Sequence, residues 1–135
     1  MTSNKSKLNT TILLLVSDQL VRSVLAEVLE CEGYMVVSAG DLGSAVEWLK
    51  QSTPDLLIIR TYISDMQGHD AAKYLQTKCY PMRVLIVGGL LADKRLEHRE
   101  EIAGFEVFPK PYNAAQLIEK VKSVLATPNG ETHHF

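Results

Sequence analysis

Apolar residues fall along this chain in two alternating rhythms. The runs Ile12-Leu13-Leu14-Leu15-Val16, Leu56-Leu57-Ile58-Ile59 and Val84-Leu85-Ile86-Val87 have no polar interruption. Strands covered on both faces read this way, because neither face can carry a polar side chain toward water. Between the runs the period changes: Val21, Val24, Leu25, Val28 and Leu29 recur at three- and four-residue spacing, which predicts an amphipathic helix facing a sheet. The run after Pro54-Asp55 is expected to be the middle strand, and it ends on a charged residue, Arg60.

In chain order, residues 1–10 are polar and unpatterned and read as a flexible leader. A first strand over Thr11 to Val16 stops at Ser17-Asp18, either of which can cap the following helix, and Gly33 closes that helix. Tyr34 to Ser38 predicts a second strand. Asp41 begins a second helix with Ala45, Val46 and Leu49 inward and Trp48 and Lys50 on the outer flank. Ser52-Thr53-Pro54 breaks it ahead of the central strand, and a loop then leads from Arg60 to Gly68. Gly68 to Thr77 predicts a third helix with Ala71, Ala72 and Leu75 inward. After the strand Val84 to Val87 come Gly88-Gly89 and a mostly charged helix from about Ala92 to Ile102. Glu106 to Pro109 forms a last strand, followed by Lys110-Pro111. The final helix, capped by Asn113, carries Ala114, Leu117, Ile118, Val121, Val124 and Leu125 on one side. Residues 127–135 lack apolar periodicity and read as a tail or linker. Five strands alternating with five helices through short connections require right-handed crossovers, and so a doubly wound parallel sheet with helices on both faces, over residues 11–126.

Composition narrows the class. The 135 residues, 46% hydrophobic and 22% charged, suit one domain with a sizeable core. A net charge of −2 without a lysine or arginine block argues against wrapping nucleic acid or lying on an anionic membrane. No apolar run has membrane-spanning length, and Cys31 and Cys79 fit two free thiols in the cytoplasm.

The order of elements, with Pro54-Asp55-Leu56-Leu57-Ile58-Ile59, Gly68 and Lys110-Pro111, resembles the receiver domain of response regulators (CheY-like) from about Ile12 to Leu125. The resemblance implies a flavodoxin-like α/β fold with strand order 2-1-3-4-5. It also implies a phosphorylation pocket at the carboxyl edge of the sheet, and here the pocket is degenerate. The family's acidic pair falls on Ser17 and Asp18, its phospho-acceptor aspartate on Arg60, its hydroxyl switch residue on Gly88 and its lysine on Lys110. Its switch aromatic falls on Val107, with Phe108 one place along. A guanidinium is not a nucleophile and keeps its proton near neutral pH, so Arg60 cannot accept a phosphoryl group as an aspartate does. One carboxylate beside two fixed cations is a poor set for a hard divalent metal, so neither metal nor cofactor is expected.

These residues predict a non-enzymatic pseudo-receiver in phosphorelay signalling, not phosphorylated on the usual aspartate and acting by protein–protein interaction. A partner signalling protein or output domain follows from that reading. The resemblance places the common partner or homodimer face on the fourth helix, fifth strand and fifth helix. The alternative is a domain that binds a small anionic ligand in the emptied pocket through Arg60, Lys110 and the amides around Gly88-Gly89. Arg60 either snorkels into solvent or pairs with Asp18 or Asp65 in place of the missing cation. His133-His134 are too few for a metal site.

Overall fold

A computed structural model describes residues 10–60, 62–63, 66–79, 81–88, 101–102, 105–108 and 113–126. In order these form β1 (Thr11–Leu15), α1 (Gln19–Cys31), β2 (Met35–Ala39), α2 (Leu42–Leu49), β3 (Leu56–Arg60), β4 (Tyr62–Ile63), β5 (Met66–Gln67), α3 (Gly68–Gln76), β6 (Arg83–Val87), β7 (Glu101–Ile102), β8 (Phe105–Phe108) and α4 (Ala114–Ala126). The main sheet runs β2-β1-β3-β6-β8-β7. Its first five strands are parallel, so the expected 2-1-3-4-5 order holds, and β7 adds a short antiparallel edge.

The unbroken apolar runs are explained by which face each residue serves. Leu13, Leu15, Leu57, Ile59, Val84 and Ile86 pack with Ala45 and Leu49 of α2 and Ala71, Ala72 and Leu75 of α3. Their neighbours Ile12, Leu14, Leu56, Ile58, Leu85 and Val87 pack on the other side with Leu25 and Leu29 of α1 and Leu117, Val121 and Val124 of α4. With successive side chains on opposite faces, a strand between two helical layers has no solvent-facing position to mark with a polar residue.

Helix ends follow their capping chemistry. Asp18, rather than Ser17, caps α1 by accepting from the Val21 amide at 3.1 Å. At the far end Gly33 takes φ 107°, with its N–H on Glu30 O and the Tyr34 N–H on Leu29 O. That pairing satisfies the last carbonyls of α1, and a residue with a Cβ would be strained at such a φ. Asn113 and Gln116 cap α4 reciprocally, at 2.8 and 2.9 Å.

Asp41 caps α2 at 2.7 Å from the Ser44 amide. The bonds from Ser44 hold its carboxyl below the ordinary carboxylate range, with a smaller contribution from the Arg22 charge. A carboxyl whose folded pKa is depressed contributes stability that is present above its unfolded pKa and lost as pH falls through the folded value. The wild type is therefore expected to lose melting temperature relative to Asp41→Asn as pH is lowered through and below the usual carboxylate range. A gap that stays constant with pH would contradict this.

Several expectations need correction. Ile102, expected to end a charged helix, pairs with Phe105 in the β7–β8 ladder, where its backbone is satisfied by the sheet. Glu101, within the same expected helix, pairs with Glu106 in that ladder, and the rest of the helix, with much of the expected partner or dimer face, lies outside the described residues. The loop after Arg60 contains a small hairpin, Tyr62 paired with Gln67 and Ile63 with Met66. Trp48 packs partly buried against the α2–α3 side of the core instead of lining the outer flank, because an indole covers more apolar area than any neighbouring side chain. Val24, assigned to the sheet-facing stripe, is 52% exposed. It stands about 100° around the helix from Leu25, which takes the inner position. Ala114 is likewise exposed.

Candidate functional site: the carboxyl edge of the sheet

β1, β3 and β6 lie side by side in parallel, with Leu15 opposite Ile59 and Arg60 opposite Val87. Their carboxyl ends therefore deliver Ser17-Asp18, Arg60 and Gly88 to one edge, the edge at which open α/β sheets bind ligands. Lys110, the fifth residue of the expected pocket, lies outside the described residues, as do Gly89 and Asp65.

Arg60 is the last residue of the central strand. Its backbone stays in the ladder opposite Val87, and it is half-buried. Asp18 is exposed and spends its carboxylate on the Val21 amide. Among the described residues the Arg60 guanidinium has no hydrogen bond or ion pair. The pairing of Arg60 with Asp18 is therefore not formed, and the Asp18 carboxylate serves instead as the cap of α1. Ser17 is exposed, and Gly88 is buried at the end of β6.

A second cation at this edge, Arg22, escaped the sequence reading. Its Nη1 donates to Val16 O at 2.6 Å and lies 3.5 Å from Ser17 O, so the side chain folds back from α1 onto the end of β1. It covers Gly40, where an added Cβ would stand 2.9 Å from Nη1. Val16 N–H still donates to Ala39 O, and Arg22 takes the adjacent carbonyl where the β1–β2 ladder stops. The only hint in the sequence is a basic residue one turn into a helix that follows a buried strand. Nothing in the spacing links it to Gly40.

Among the described residues the charges at this edge are the guanidiniums of Arg60 and Arg22 and the carboxylates of Asp18 and Asp41, and both carboxylates are engaged as helix caps. Among the described residues no three His, Cys, Asp or Glu side chains gather as metal ligands. The chemistry of the donor set decides the fit: one carboxylate, already hydrogen-bonded, with a guanidinium on the neighbouring strand, does not match a hard dication that needs several anionic oxygens.

Comparison with known proteins assigns the architecture. The response regulator receiver domain family matches residues 12–122. The transcriptional regulatory protein CpxR of Escherichia coli K12 is 33% identical over 115 residues, which are 84% of this chain and 48% of CpxR, so the chain spans about half the length of that relative. Sporulation initiation phosphotransferase F of Bacillus subtilis is 26% identical over 114 residues, covering 84% of this chain and 92% of that protein. Among solved structures, the non-phosphorylated HemR receiver domain of Leptospira biflexa superposes with a TM-score of 0.73 at 21% identity, covering 91% of this chain and 99% of that one. The receiver domain of the hybrid histidine kinase CckA gives a TM-score of 0.68 at 27% identity, covering 85% and 98%. A parallel sheet with the expected strand order, helices on both faces and a family match over most of its length lead to one assignment: the chain belongs to the response regulator receiver domains of two-component signalling.

Proposed function

We propose that this receiver domain works without phosphoryl transfer, as a pseudo-receiver that presents protein-binding surfaces in a single state. The observation that carries the proposal is Arg60 at the carboxyl end of the central strand, where the resemblance puts the acceptor aspartate. A guanidinium cannot attack phosphorus, and its charge repels the metal that would accompany a phosphodonor. Gly88 adds no hydroxyl to follow a bound phosphoryl group. The domain then contributes no catalytic nucleophile, and its output is docking to a protein partner in the cytoplasm, where the free thiols Cys31 and Cys79 stay reduced.

Magnesium with beryllofluoride, the pair present in the solved response regulator TrrA of Thermotoga maritima, provides the test. A ligand that binds only the folded chain raises its melting temperature in proportion to the logarithm of its concentration. No shift is expected with magnesium, alone or with beryllofluoride. A stabilisation by the pair that grows with the logarithm of its concentration would overturn the proposal.

The Arg60 guanidinium, without a hydrogen bond or ion pair among the described residues, favours one second reading, a site for a small anion. Sulfate, phosphate and nucleotides in the same melting assay separate the two, because only the second reading expects a metal-independent shift that Arg60→Ala abolishes.

A further inference from the structure

α1 and α4 lie on the same face of the sheet, both packed over Ile12, Leu14 and Ile58. Their outward sides leave a groove of about 610 Å³. Val24 and Val28 line one wall, and Ala114, Ala115 and Ile118 the other. The two alanines in the first turn of α4 keep the groove open, since a larger side chain there would fill it. On α1 the apolar ridge continues one turn beyond the groove to Leu20, and Leu20 and Val24 are 74% and 52% exposed. Neither contributes to the core. From Leu20 to Cys31 the ridge runs about 17 Å, three helical turns.

Charge frames this surface. Lys122 of α4 pairs with Glu32 at 3.2 Å across one end. Glu27 on α1 and Glu119 on α4 also line the groove, are exposed, and have no ion-pair partner among the described residues. The surface is an apolar floor between carboxylates. Its walls are helices without a free backbone edge, so an extended peptide has no ladder to join, whereas a third helix can seat its side-chain ridge between two others.

We propose that the α1–α4 groove docks an amphipathic helix of a protein partner, with apolar residues at three- and four-residue spacing flanked by lysine or arginine. The inference rests on the reading of this domain as a protein-docking module and names the site and the chemistry of its partner. A second copy of this chain is a poor occupant, because an isologous contact on α1 brings Glu27 and Glu30 toward the same residues of the copy. The segment after α4 is also a poor match, since residues 127–135 include Glu131 and no lysine or arginine.

The test is an amide NMR titration of the full chain with a synthetic leucine–lysine amphipathic helix of about five turns and with its counterpart carrying glutamate for lysine. Shifts are expected at Val24, Val28 and Ile118 with the basic peptide, and binding of the acidic one is expected to be about tenfold weaker. Glu27→Lys/Glu119→Lys should weaken the basic peptide by about tenfold and Glu27→Gln/Glu119→Gln by about threefold. Both substituted positions, Glu27 and Glu119, are exposed, and Val24→Asp offers an independent variant that removes the apolar contact. Equal affinity for the two peptides, shifts centred elsewhere, binding that ignores these substitutions, or a dimer that Val24→Asp dissociates would each overturn the proposal. Any of these failures would leave the phosphorylation-independent reading standing, which a beryllofluoride response would remove whether or not the groove binds.

Discussion

Leu57→Ala is expected to destabilise the domain by about 3 kcal/mol and to lower its melting temperature by roughly 10 °C. Leu57 is fully buried in β3, with Leu13 of β1 on one side and Val84 of β6 on the other. It also belongs to the layer closed by α2 and α3. With sheet neighbours on both flanks and helices above, the site cannot collapse around a shortened side chain, so the lost transfer energy and the cavity add together. Urea denaturation should show a lower midpoint with an unchanged slope. A loss below about 1 kcal/mol would mean that the layer is loosely packed and would undercut β3 as the centre of the fold.

Asp55→Ala should cost about 2 kcal/mol although the residue lies at the opposite edge from the candidate site. The Asp55 carboxylate accepts from the Thr11 amide at 2.8 Å, and the Asp55 N–H donates to Thr11 O at 2.8 Å. The two bonds fix the entry of β3 against the entry of β1, and the first is charge-assisted and partly shielded from water. Asp55→Asn, which keeps an acceptor without the charge, should lose about half as much. Equal losses in the two variants, measured by urea denaturation, would show that the charge rather than the register bond matters. The effect explains why a proline and an aspartate precede the central strand: Pro54 ends the preceding segment and Asp55 sets the strand's position.

The sheet was legible in the sequence because its strands are buried on both sides, and burial of that kind leaves unbroken apolar runs that nothing else in a chain of this size requires. The caps Asp41, Asn113 and Gly33 were legible too, since each answers a local need of the backbone within four residues. Interactions that join distant segments were not. Arg22 reaches the carbonyl of Val16 by folding back over Gly40, and no periodicity announces such a contact. Val24 shows the limit of reading a stripe: valines and leucines at adjacent positions share a pattern, but only one of the pair can face the sheet. Ile102 failed for a related reason, because a two-residue strand at a sheet edge is too short to produce any period. For the candidate site, topology alone brought Ser17, Asp18, Arg60 and Gly88 to one edge. That Asp18 caps α1 through the Val21 amide instead of pairing with Arg60 was not legible, since Ser17 offers the same capping chemistry one residue earlier.

On the proposed reading Arg60 stands where a receiver would attack its phosphodonor, and intact-mass measurement tests that most directly. After prolonged incubation of the full chain with acetyl phosphate and magnesium, the predicted spectrum is that of the unmodified protein. A stoichiometric gain of one phosphoryl group, released by hydroxylamine as an acyl phosphate is, would contradict it.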